Sequence, residues 1–74
     1  MDAKSISLKM TGKNLKMLRE KKGYSVTNVC AQLGDIAPQT VYKWERGVNI
    51  PSIDNLILLS ELYGVTINDM VVVG

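Results

Sequence analysis

The chain contains no histidine and a single cysteine. Zinc and iron–sulfur sites need clustered Cys or His ligands, and an intramolecular disulfide needs two thiols, so no metal, metal cofactor or internal disulfide is expected. Triads that depend on a His base are excluded with them. Long apolar runs are also missing: the longest, Leu56–Leu59 and Met70–Val73, fall far below the roughly 20 residues that a membrane span needs. The start, Met1-Asp2-Ala3-Lys4-Ser5, has an early acid and no apolar h-region, so no secretory signal is expected and the expected compartment is the cytoplasm. The seven acids are scattered, at 2, 20, 35, 45, 54, 61 and 69, with no Gly-rich phosphate loop beside them. The expectation is a protein that is not an enzyme and needs no cofactor.

Basic residues are absent from the last third. Residues 1–47 hold nine basic and four acidic side chains, a charge of +5, whereas residues 48–74 hold none and three, a charge of −3. A polyanion-binding front and a neutral or self-associating rear would carry such a division, although a solvated basic helix would also show the first half of it. What is present suits one compact domain: 74 residues, 46% hydrophobic and 22% charged. No second domain or sensor module is expected within these residues.

Glycine divides the sequence, because it is the favoured residue just past a helix C-terminus. Gly23, Gly34, Gly47 and Gly64 each follow a helix-like stretch, and Thr11, Ser25, Ser52 and Thr66 stand where caps are wanted. Pro38 suits a first helical position. Five helices are predicted, at about 12–22, 26–33, 38–46, 53–63 and 67–72. Residues 1–10 are read as an N-terminal arm and 11–74 as the domain. The strand-like period of Ile6 and Leu8 and the β-branched Val71-Val72-Val73 allow a short ribbon between the tails, with fraying the stronger expectation.

A helical wheel puts Val41 and Trp44 of the third helix on one face and Gln39, Tyr42, Lys43 and Arg46 near the other. The fourth helix is expected to turn Ile53, Leu56, Ile57, Ser60 and Tyr63 inward and to leave Leu58 and Leu62 outward. Two short helices joined by a tight Gly-containing turn form a helix-turn-helix signal, in which Cys30 is a small core residue rather than a nucleophile. Trp44, Tyr24 and Tyr63 lie on apolar faces and are expected to pack in the core, leaving Tyr42 free to touch nucleic acid.

The residues Leu18-Arg19, Gly23-Tyr24-Ser25, Leu33-Gly34, Val41-Tyr42-Lys43-Trp44-Glu45-Arg46-Gly47, Pro51-Ser52 and Gly64-Val65 carry a resemblance. Over residues 11–72 the chain resembles the Cro and phage-repressor type helix-turn-helix family, also called the XRE family. The resemblance implies an all-α, five-helix, lambda-repressor-like domain that binds double-stranded operator DNA as a homodimer, with its third helix in the major groove. By position it makes Gln39, Thr40, Tyr42 and Lys43 base readers, and Lys13, Ser25, Arg46 and Asn49 phosphate contacts. The chemistry agrees: Gln pairs with adenine, Lys donates to guanine, and the Thr methyl meets that of thymine. It also implies an ion pair of Arg19 with Glu45. A dimer contact is expected at the rear, through Leu58, Leu62, Val71, Val72 and Val73.

The sequence departs from the family in places. Val26 stands where many members have a Gln that braces phosphate, which implies one anchor fewer. The stretch Leu33–Gln39 is one residue longer than the common turn, Asp35 adds a negative charge near the presumed DNA face, and Pro38 replaces a polar side chain. The expected function is that of a small transcriptional regulator occupying an operator. The alternative, to which Val26 and Asp35 lean, is a protein-interaction module, antitoxin-like or an assembly partner, on the same fold.

Overall fold

In the computed structural model, which describes residues 5–74, five helices follow one another: α1 (Leu8–Lys21), α2 (Val26–Gln32), α3 (Pro38–Glu45), α4 (Ile53–Tyr63) and α5 (Ile67–Met70). No helix among them is long and apolar enough to cross a membrane. Residues 1–4, the first part of the expected arm and the segment read for a secretory signal, lie outside the described residues.

Local chemistry accounts for most of the helix starts. Ser7 Oγ accepts from the Met10 amide at 3.2 Å and Ser52 Oγ from the Asn55 amide at 3.3 Å. Thr66 and Asp69 cap one another reciprocally at the start of α5. At the other end of α4, Gly64 takes a left-handed φ of 68°, and the Lys22 ammonium sits beside it. That cation faces the negative end of a helix with no basic residue in its own last turn.

α1 begins four residues ahead of the predicted start, so Leu8–Met10, expected in the arm, are its first turn. Thr11 is therefore not a cap. It is buried, and its hydroxyl oxygen accepts from the Val72 amide at 2.9 Å while the hydroxyl reaches back to the Val72 carbonyl at 3.4 Å. Asn14, one turn on, donates to the carbonyls of Asp69 and Met70 at 2.7 and 2.9 Å. These two polar side chains hold the C-terminal tail on α1. The fraying expectation is thereby corrected: Ile6 and Val73 form an antiparallel bridge, and the Ser7 amide donates to the Val72 carbonyl at 2.7 Å. α5 stops at Met70 because Val71 is already extended.

The core is built from Leu15, Val26, Val29, Cys30, Leu33, Val41, Trp44, Leu56, Leu59, Tyr63 and Met70. On α4 the inward stripe is Leu56, Leu59 and Tyr63, at i, i+3 and i+7. Ile53 and Ile57, expected inward, sit about 90° and about 130° from that stripe at 100° per residue. They are exposed, at 67% and 44%. Leu62, expected outward, is half-buried and packs on the core instead.

Candidate nucleic-acid interface

The third helix, α3, is held from two sides. On one side α2 opens with a reciprocal cap: Ser25 Oγ accepts from the Asn28 amide and Asn28 Oδ1 from the Ser25 amide, both at 3.0 Å. It packs Val26, Val29 and Cys30 inward. The chain then turns through Gly34, at φ 81°, and Asp35, at φ 60°, whose amide donates to the Cys30 carbonyl at 2.9 Å. Two successive residues of this turn are thus left-handed, and α3 starts at Pro38 as predicted. Its N-cap, Ala37, offers no side-chain bond.

On the other side α3 lies against α1. Val41, Trp44 and Glu45 are buried there. Arg19 Nε donates to Glu45 Oε2 at 2.7 Å and Nη2 to Oε1 at 3.1 Å, a two-bond fork between α1 and α3. The third guanidinium nitrogen donates to the Tyr24 carbonyl at 3.0 Å, so the cation also fixes the entry to α2. The hydrogen bond to Glu45 outweighs the desolvation and holds the Arg19 pKa above its ordinary value. Burial raises the Tyr63 phenol well above its usual range, with the Glu45 charge adding to the effect, so the ring stays a neutral part of this core. Tyr24 stacks beside it, with centroids 6.4 Å apart.

Anchoring Val41, Trp44 and Glu45 inward leaves the other face of α3 to solvent. Gln39, Tyr42, Lys43 and Arg46 are exposed there, while Thr40 is half-buried. Asn49, in the loop after α3, and Lys13 and Ser25 are exposed as well. Cys30 is buried, and desolvation raises its thiol pKa, the opposite of what a nucleophile needs.

Sequence reasoning missed two residues at this interface. Gly47 packs on the first turn of α1: a Cβ built on it would stand 2.9 Å from the Lys9 Cα. The backbone of Lys9, assigned to the arm, thus lies beside the loop after α3, and its side chain is exposed. Gly12, unremarked in the sequence, is where the α1 and α3 backbones touch. With the first helix expected to begin at about residue 12, Gly12 read as part of its start, and only the true start at Leu8 puts it inside the helix.

The five expected dimer residues do not form one exposed surface. Leu58 and Val73 are exposed, at 41% and 51%, but Leu62, Val71 and Val72 are half-buried, the last tied by its backbone to Ser7 and Thr11. The larger exposed apolar side chains near Leu58 in sequence are Val48, Ile53 and Ile57.

A helix-turn-helix family model matches residues 15–70. Over 56 residues the chain is 38% identical to a protein of Pyrococcus furiosus named as an HTH-type transcriptional regulatory protein, and 34% identical to one of the same description from Pyrococcus horikoshii. Each alignment covers 76% of this chain and 18% of the relative, so the chain spans about a fifth of the length of the curated relatives it matches. Among solved structures, the DNA-binding domain of BldD superposes with a TM-score of 0.74 at 24% identity, over 89% of this chain and 94% of that one. The S. venezulae BldD DNA-binding domain gives the same TM-score and identity, over 89% and 97%. These two likenesses establish the fold.

Proposed function

The chain belongs to the helix-turn-helix family, and from that membership we propose that it is a DNA-binding transcriptional regulator whose α3 reads the major groove of an operator. The observation that carries this reading is the division of α3. Its apolar and ion-paired face is fixed to α1 and α2, and its free face presents Gln39, Tyr42 and Lys43. In this reading Gln39, Thr40, Tyr42 and Lys43 meet base edges. Lys9, Lys13, Ser25, Arg46 and Asn49 meet phosphates and set the register of α3 without reading sequence. The Ser25 oxygen already accepts the Asn28 amide, so its part is to donate its O–H to a phosphate oxygen.

Two copies occupy the operator together, joined at the rear through the exposed side of α4, which carries Ile53, Ile57 and Leu58. The exposed apolar residues Val48, Ile53, Ile57 and Leu58 also support a second reading, in which the same domain is chiefly a protein-interaction module. Duplexes selected from a random library, followed by a mobility shift across salt concentrations, separate the two. Binding that weakens steeply with salt supports the regulator. No bound duplex at low salt supports the module.

A further inference from the structure

Asp35 is the only non-glycine residue with positive φ among the described residues. Its backbone is fixed by the bond to the Cys30 carbonyl. Its side chain is exposed, accepts no hydrogen bond and joins no ion pair among the described residues. Nor does it cap α3, whose N-cap is Ala37. A free carboxylate is thus held three residues ahead of Pro38, where the reading helix begins, in a conformation that Gly adopts with less steric cost. In the DNA-binding reading above, on which this inference rests, that carboxylate repels phosphate, so its favourable contacts lie at base edges.

A carboxylate only accepts, and the major groove offers it two donors, cytosine N4–H₂ and adenine N6–H₂. Adenine places its N7 acceptor beside the donor, which suits an amide such as Gln39 but leaves a carboxylate facing a lone pair. Cytosine presents the donor alone. We propose that Asp35 is a specificity-determining residue that accepts from cytosine N4 at a C·G pair adjoining those read by Gln39 and Lys43.

Library selection with the wild type, Asp35→Gly and Asp35→Asn tests the assignment. Gly keeps the positive φ and removes the carboxylate, while Asn keeps the shape and removes the charge. The wild type should select a fixed cytosine at one position, and replacing that pair should weaken it about fivefold, equivalent to ~1 kcal/mol for one base contact. Asp35→Gly should lose this preference alone, with every other selected position unchanged. Asp35→Asn should relax it to cytosine or adenine. Identical base preferences in all three proteins, with only the overall affinity rising in the variants, would make Asp35 a mere electrostatic brake and overturn the proposal. If the wild type selects no duplex at all, the DNA-binding reading itself fails and this assignment falls with it.

Discussion

A Cβ built on Gly12 of α1 would stand 2.5 Å from the carbonyl oxygen of Trp44 in α3, and 2.6 Å from that of Glu45. The two helices therefore meet backbone to backbone, at the end of α3 where carbonyls lack helical partners. No side chain separates them, so the angle and depth at which α3 packs on α1 are set by the absence of one methyl group.

Gly12→Ala should accordingly destabilise the fold. In an open helix interior the same change stabilises by about 0.5–1 kcal/mol. Here the methyl overlaps backbone rather than a flexible side chain, and overpacking of this kind costs about 1–3 kcal/mol. Urea unfolding gives the sign directly: a variant more stable than the wild type would show that the α1–α3 contact has room to open.

The Arg19–Glu45 fork should behave as a coupled pair. Removing one partner strands a largely buried charge, at a cost of about 3–5 kcal/mol, while replacing both with apolar residues of similar volume should cost far less than the two single changes together. A double-mutant cycle on Arg19→Met and Glu45→Met measures this. Additive losses would mean that the pair acts like an exposed bridge, worth about 0–1 kcal/mol.

Four of the five helices were legible in the sequence because their boundaries are chemical: Ser25, Ser52 and Thr66 cap, Pro38 opens, and Gly64 closes. α1 was placed too late because Thr11 reads like a cap, and nothing local shows that its hydroxyl is taken by Val72, 61 residues away. The inward face of α4 was misplaced for a related reason. With Ile53, Leu56, Ile57, Leu58, Leu59 and Leu62 all apolar, periodicity barely distinguishes one side, and the packing of Tyr63 and Leu59 decides. At the interface, the polar face of α3 followed from Val41 and Trp44, three residues apart. Lys9 was out of reach because its place depends on the contact of Gly47 with α1.

Readers and anchors should part on mutation. Gln39→Ala or Lys43→Ala should cost about 1–3 kcal/mol on the selected site and flatten its specificity. Arg46→Ala and Lys9→Ala should weaken all duplexes alike, each lowering the salt slope by about 1. Binding isotherms on specific and random duplexes decide it: equal losses on both for Gln39→Ala and Lys43→Ala would remove them from the readers.

Salt should act on DNA binding and on self-association with opposite signs. If Lys9, Lys13 and Arg46 each neutralise one phosphate, log affinity for duplex falls with a slope of about −2.7 per copy against log salt. The exposed side of α4 sets Asp54 and Glu61 between the Ile53–Ile57 and Leu58 edges, and residues 48–74 contain no basic residue to answer them. Two copies meeting through this side bring like charges together, and raising the ionic strength screens that repulsion. The few exposed apolar side chains are far from the ~800 Å² that each partner of a standard interface buries, so pairing in free solution should be weak. DNA strengthens it by holding two copies at high effective concentration. Sedimentation equilibrium should therefore find mostly monomer at low salt and more dimer at high salt, and Ile57→Glu with Leu58→Glu should abolish that rise. Because both side chains are exposed, the double variant should still fold and still bind a single half-site. Undiminished cooperative binding of two half-sites by this variant would place the dimer contact elsewhere on the domain.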